Sequence, residues 1–237
     1  MINDTASSGF ERGAADYEKA RPSYPSAVLD ALPSSGRIVD LAAGTGKLTR
    51  LLRGDVLAVE PVAAMRAIAA TFAPTVAGTA EHLPLRDESV DAVTVAQAFH
   101  WFDAPRALAE IRRVLKPGGM LLLVWNDRDN RVPWVAEMTK VVHAHDPGAY
   151  QMVTDWYAVI AAAGGFTPVE LAEVDNPQRD VNADTVVARA TSTSYVAAAG
   201  DAVVEQVARD VRAIVDALDE PFDYPYVTQI FTCSKRS

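Results

Sequence analysis

The stretch DLAAGTGKLTR, residues 40–50, carries two glycines two apart, a lysine directly after the second and an acidic residue ahead of both. Loops of this kind hold nucleotides. A phosphate loop needs Gly, four residues, then Gly-Lys-Ser/Thr, so that backbone N–H groups, a lysine and a magnesium-binding hydroxyl surround a polyphosphate. Here Leu41 stands where the first glycine must be and Leu48 where the hydroxyl must be. That chemistry fails at two fixed positions. The dinucleotide pattern Gly-x-Gly-x-x-Gly fits Gly44 and Gly46 but meets Thr49 at the third glycine, whose task is close helix–strand packing. A tight turn without any ligand would also use Gly44 and Gly46.

The neighbouring acids narrow the choice. RIVDL and DVLAVE read as buried strands, which sets Asp40 and Glu60 at carboxyl ends, where α/β sheets bind ligands. A carboxylate at Glu60, followed by Pro61, can accept from both hydroxyls of a ribose. Asp40 beside the loop suits a cationic ammonium and would repel a pyrophosphate. A ligand with a ribose and an ammonium but no phosphate satisfies both, and S-adenosylmethionine has that inventory.

His100 and Trp101 follow the fourth strand, where a methyl acceptor would lie, with Phe102 next to them. If the acceptor is a hydroxyl or an amine, His100 is the best available general base, and a carboxylate acceptor needs none. His82, His143 and His145 lack such a setting, and the i, i+2 spacing of the last two does not face one way on a helix, so no metal site is expected. Arg21, Arg128 and Arg131 are candidate anchors for an acidic acceptor, because guanidinium grips carboxylates bidentately; a solvated surface role is favoured for Arg131. Trp125 and Asn126 end the fifth strand and are expected to wall the pocket. Trp134, Trp156, Tyr157 and Tyr195 are read as packing within a lid, and Cys233 as a small packing residue.

These residues need a frame. From Arg37 onward, apolar runs alternate with amphipathic ones: RIVDL, DVLAVE, TVAGTA, VDAVTVAQ and MLLLVW as strands, with helices beginning at Lys47, over VAAMRAIAATF, and over APRALAEIRRVLK up to Pro117-Gly118-Gly119. Continuous apolar strands separated by helices imply a parallel sheet covered on both faces. The expectation is one doubly wound α/β domain with a seven-stranded, mostly parallel, Rossmann-like sheet whose last strand, within 224–235, is antiparallel. Residues 1–34 would form a helical cap containing FERGAADYEKA, 35–126 the cofactor-binding core, and 127–164 and 182–219 helical lid insertions.

Composition sets outer limits. The 237 residues are 49% hydrophobic and 22% charged, enough to bury a core without staples, and the net charge of −9 without any basic stripe argues against a nucleic-acid partner. One cysteine fits a reducing cytoplasm; no signal peptide and no membrane-length apolar run is found. A monomer or homodimer is expected.

The ordered set of motifs resembles class I S-adenosylmethionine-dependent methyltransferases of the type 11 kind. VDLAAGTGKLTRLL is similar to their first motif, with Ala42 in place of the first glycine of Gly-x-Gly-x-Gly and Gly44 and Gly46 retained. VEPVAAM resembles the next, which implies Glu60 on the ribose and Pro61 and Met65 near the adenine. GTAEHLPLRDESVDAV resembles the third, where Ala80 and Glu81 would flank the adenine ring. AQAFHWFD, with Gln97 and Ala98, resembles the fourth-strand motif and RVLKPGGMLLLVW the fifth. YEKARPSYP, QAFHWFD and VWNDRD are similar to small-molecule enzymes related to trans-aconitate methyltransferase, which implies an N-terminal segment folded over the cofactor, with Tyr17 and Arg21 near its methionine end. The resemblance implies methyl transfer to an oxygen, nitrogen or carbon of a small molecule, releasing S-adenosylhomocysteine. AQAFHWF takes the place of the Asn/Asp-Pro-Pro-Tyr-like sequence of amino-directed nucleic-acid enzymes. A nicotinamide-dependent oxidoreductase, weakened by Thr49 and by the lack of Tyr-x-x-x-Lys, and a non-catalytic cofactor-binding protein stay open as alternatives.

Overall fold

The computed structural model describes residues 22–146 and 155–237; the expected helix in 10–20 and the candidates Tyr17 and Arg21 lie outside them. Five strands run parallel: β1 (Arg37–Leu41), β2 (Asp55–Val59), β3 (Thr75–Val76), β4 (Val90–Ala96) and β5 (Leu115–Arg128). With β6 (Glu170–Asp175) and β9 (Tyr226–Ser234) they form a seven-stranded sheet in the order β3-β2-β1-β4-β5-β9-β6. β9 is antiparallel to both of its neighbours, pairing Met120 with Ser234 and Arg128 with Tyr226 at the two ends of β5. The order reverses at β1 and β4, so a crevice opens at their carboxyl ends.

Each strand is apolar because both faces are covered. On β1, Val39 and Leu41 join one core with Leu108 and Ile111 of α3 (Ala104–Val114) and Ile160 of α5 (Trp156–Ala163), while Ile38 faces a second core with Val28 of α1 (Ala27–Asp30), Leu48 and Leu52. A further short pair, β7 (Gln178–Val181) with β8 (Phe222–Tyr224), is antiparallel and was not foreseen. It borders a third core built from α4 (Pro133–His143), α6 (Ala183–Thr191), α7 (Ser194–Ala198) and α8 (Asp201–Val215). Val207, Val211 and Val215 recur every fourth residue on α8, forming its buried stripe.

Three local expectations are corrected. No α-helix begins at Lys47: residues 42–54 make turns and a 3-10 segment, Thr49–Leu51, because positive φ at Ala42, Gly44 and Gly46 uses up the first half of a short connection. α3 stops at Val114, and β5 already begins at Leu115, because the residue before Pro117 is pushed towards extended backbone. Residues 127–164 are not one lid: α4 joins the third core, whereas Trp156 of α5 stacks on Trp125 beneath the sheet at 5.1 Å and 8°. The helix α2 (Ala63–Ala69) follows β2 as expected. Among the described residues no helix is long and apolar enough to cross a membrane.

Candidate functional site at the carboxyl edge of β1, β2 and β4

The turn after β1 is built around two carboxylates. Asp40 is 1% exposed; its Oδ2 accepts from the Thr49 hydroxyl at 2.5 Å and its Oδ1 from the Thr94 hydroxyl at 3.0 Å. Burial outweighs these two bonds and, helped by the nearby Glu60 charge, pushes the Asp40 carboxyl up to about 6. Its side chain is held by both bonds, so Asp40 clamps the turn to β4 at the place where a ligand ammonium was expected. Thr49, which sequence reasoning treated only as a missing glycine, supplies the other half of the clamp. Nothing in an Asp-to-Thr spacing of nine signals such a bond in advance.

Glu60, 4% exposed just beyond β2, accepts from the Gly44 N–H through Oε2 and from the Val62 N–H through Oε1, both at 2.8 Å. Desolvation raises its pKa, and the two N–H groups oppose that rise. A carboxylate has about four acceptor sites, so Glu60 keeps lone pairs for hydroxyl donors from a ligand. Arg66 donates Nη1 to the carbonyls of Glu60 and Pro61, at 2.9 and 2.8 Å, and fixes this corner.

The two glycines do different work. A Cβ on Gly46 (φ +83°) would meet Phe72 Cδ2 at 2.9 Å and Ala69 Cα at 3.1 Å, so this glycine lets the turn press against the end of α2. A Cβ on Gly44 (φ +58°) would meet nothing within 4 Å, so the backbone there borders open space beside Glu60. Ala42, in place of a first glycine, takes φ +55°, and Gln97 at the end of β4 takes φ +56°. Left-handed backbone costs a non-glycine residue roughly 1–2 kcal/mol. Both instances flank the same crevice.

Around it, Met65, Ala80 and Ala98 are buried, and Pro61 is partly exposed. Glu81 accepts from the Asp103 N–H at 3.0 Å and Asp103 caps α3 at Arg106, so the Glu81 carboxylate anchors a turn at the crevice wall. Gln97 donates Nε2 to the Asn126 carbonyl at 3.1 Å and joins β4 to β5. His100 lies in a 3-10 turn, Phe99–Trp101, against the Trp101 ring at 4.7 Å; burial holds it down at about 4, so it is neutral at physiological pH. Trp101 is 37% exposed, whereas Phe102 packs edge-on against Phe99 at 5.5 Å.

Two expected pocket walls are corrected. Trp125 is buried between Trp156 and Phe231 on the core side of the sheet, because strand alternation turns it away from the crevice. Asn126 is also buried and committed: Nδ2 donates to the Ser23 carbonyl at 3.1 Å, and Oδ1 accepts from Thr228 at 2.5 Å and from Asn176 at 3.2 Å. It ties the segment before α1 to the sheet. Arg128 is half-buried at the end of β5 and reaches Tyr224, while Arg131 is a surface residue paired with Asp129 and Asp175, as favoured. Among the described residues no cluster of metal-binding side chains occurs.

The family model for a methyltransferase domain matches residues 39–123, which contain this whole turn, Glu60, Ala80 and His100. An uncharacterized methyltransferase of Schizosaccharomyces pombe is 40% identical over 174 residues, covering 68% of this chain and 69% of that protein. The chain belongs to the methyltransferase family. An uncharacterized methyltransferase of Mycobacterium tuberculosis is 52% identical over 141 residues; the match spans 56% of this chain and 58% of that relative's length. The solved structure of a SAM-dependent methyltransferase from Thermotoga maritima superposes with a TM-score of 0.58 at 22% identity, covering 96% of this chain and 99% of that one. That likeness shows the fold.

Proposed function

We propose that this family member transfers the methyl group of S-adenosylmethionine to an oxygen of a small-molecule acceptor, releasing S-adenosylhomocysteine. The observation that carries the reading is Glu60: a buried carboxylate at the carboxyl end of β2, braced by the Gly44 and Val62 N–H groups, with open space above Gly44. The residues fit a phosphate-free nucleoside. Leu41 and Leu48 remove a phosphate cradle, and a second carboxylate lies just inward at Asp40. The curated relatives are named methyltransferases, which supports methyl transfer as the reaction.

When bound, the cofactor supplies a methyl already activated by its sulfonium, which needs neither metal nor redox partner. The chain's part is to bind, align and dry. Glu60 accepts from the ribose hydroxyls, Met65 and Ala80 give apolar walls for the base, and Gln97 and Ala98 hold the β4 side of the crevice. Alignment of this sort contributes ~7–11 kcal/mol in favourable cases. His100, held neutral by burial, orients an acceptor better than it deprotonates one, since a base near 4 has little proton affinity at neutral pH. An acceptor that arrives ionised suits the site. The lone, buried Cys233 is consistent with a cytoplasmic setting, and the helices around the third core act as the acceptor-side layer.

The test is calorimetric titration of S-adenosylhomocysteine into wild type and Glu60→Gln. The wild type binds, and the variant, which loses charge-assisted acceptance from hydroxyls, binds ~10–100-fold more weakly. Equal affinity in both would end the ribose assignment, and preferential binding of a nicotinamide dinucleotide would end the methyltransferase reading.

A further inference from the structure

The strongest unexplained feature lies beyond the crevice, where β5 and β9 meet the helical layer. Arg189 of α6 is 4% exposed, and its Nε and Nη1 have no acceptor. Its guanidinium stands 5.2 Å from the centroid of the Tyr224 ring and 5.7 Å from that of Tyr226. Arg128, entering from the end of β5, donates Nε to the Tyr224 hydroxyl at 3.1 Å and Nη2 to the Thr193 hydroxyl at 3.4 Å. Two guanidiniums thus share Tyr224, and among the described residues neither is bonded to a carboxylate.

Arg37, Arg113, Arg131, Arg179 and Arg212, all more exposed than Arg189, each pair with Asp or Glu. A chain with a formal charge of −9 has carboxylates to spare, yet neither of these two arginines is bonded to one among the described residues. Arg189 is a buried charge without a bonded counter-ion, which is costly, and the half-buried cation of Arg128 beside Tyr224 adds to that cost. Stacking on tyrosine rings returns only part of that cost. An oxyanion would satisfy this geometry, because guanidinium, tyrosine hydroxyl and threonine hydroxyl are all donors to oxyanions.

The position fits an acceptor. Arg128 lies two residues beyond Asn126 on the same face of β5, and Gln97 of β4 binds the Asn126 carbonyl, which ties this end of β5 to the end of β4. We propose that Arg128 and Arg189, with Tyr224 and Thr193, form a receptor for an oxyanion, a carboxylate or phosphate, carried by the methyl acceptor. This rests on the methyl-transfer reading; anion binding itself does not. Arg189 sits on the buried stripe of α6 with Ala183, Val186 and Ala190, so an arginine on an apolar face was the signal in the sequence.

The experiment titrates succinate and, separately, phenyl phosphate into the full chain saturated with S-adenosylhomocysteine, at constant ionic strength set with chloride. Wild type, Arg189→Met, Arg128→Lys and the surface control Arg131→Met are compared by calorimetry and thermal unfolding. The expected result is saturable binding of one probe at millimolar concentration or tighter, weakened at least ~10-fold in Arg189→Met and Arg128→Lys and unchanged in Arg131→Met. Which probe binds tells a carboxylate from a phosphate. Arg189→Met without anion unfolds no earlier than wild type, because an unpaired buried charge has been removed. Absence of binding by both probes, equal loss in Arg131→Met, or an Arg189→Met protein that unfolds earlier yet binds the probe as wild type does, would overturn the proposal. Arg128→Lys keeps charge and fold if Arg189→Met fails to accumulate, and unweakened binding by it alone would then refute the receptor. Failure of S-adenosylhomocysteine to bind the wild type would instead count against the methyl-transfer reading, and the anion titrations would still stand on the cofactor-free protein.

Discussion

Replacing Asp40 by Asn should stabilise this protein at neutral pH. The Asp40 carboxyl is raised to about 6 from its ordinary value of 3.8, chiefly by burial. A carboxyl whose pKa is higher folded than unfolded favours folding when protonated. That contribution is complete below the unfolded value and disappears as pH rises through the folded one. The separation between 3.8 and about 6, at ~1.36 kcal/mol per pH unit, corresponds to about 3 kcal/mol lost by pH 7.5. Asparagine avoids that loss and can keep both bonds. Its carbonyl accepts from Thr49, and its amide donates to the Thr94 hydroxyl, which can turn to the Val39 carbonyl 3.4 Å away. Imperfect bonds lower the gain, so the expectation is ~1–3 kcal/mol in favour of Asp40→Asn at pH 7.5, shrinking towards zero near pH 4. Urea unfolding followed by tryptophan fluorescence at both pH values measures it. A variant no more stable than wild type at pH 7.5, or an advantage of the same size at both pH values, would refute the burial argument.

Gly46→Ala should destabilise by ~2 kcal/mol or more, since φ +83° and close contacts with Phe72 and Ala69 act together; Gly44→Ala, with open space around it, should cost only the ~1–2 kcal/mol of its φ while weakening cofactor binding. Thermal unfolding and titration of both variants separate packing from ligand approach. With His100 held at about 4, the methyl-transfer rate should show no limb centred near 6.5, and His100→Gln should not change the profile between pH 6 and 8. A limb in that range that vanishes in the variant would make His100 a working base.

Much of the frame was legible because its signals are local. The parallel strands read as apolar runs, and the final strand, Tyr226–Ser234, as a partly alternating one whose antiparallel sense shows only in its pairing with β5 and β6. Gly44, Gly46 and Glu60, which frame the candidate crevice, were read from one loop and one strand end. What was hidden depends on contacts distant in sequence. Thr94 reaches Asp40 from 54 residues away, and Asn126 reaches the Ser23 carbonyl from 103. Trp125 and Asn126 are adjacent and both were placed in the pocket, but strand alternation sends them to opposite faces and each is committed to packing. The short β7–β8 pair was missed because Gln178–Val181 is mostly exposed and carries no apolar pattern.

The distribution of unfavourable features is itself an argument for where the chain works. At the amino edge of the sheet, charges are paired: Arg37 with Asp55 at 2.8 Å, Lys116 with Asp91 at 2.9 Å, and Asp91 lies below its usual range, chiefly because of Lys116. At the carboxyl edge the reverse holds. Asp40 and Glu60 are raised by burial, and Ala42 and Gln97 hold left-handed backbone without being glycine. Glu88 and Asp180 share that conformation but lie outside the crevice, so strain alone does not mark a site. Strain combined with buried acid does. A fold selected only for stability would relieve Ala42 with glycine and Asp40 with asparagine, each by one substitution. That both persist at the switch point between β1 and β4 is what a binding crevice predicts, and Asp40→Asn measures how much stability is forgone to keep it.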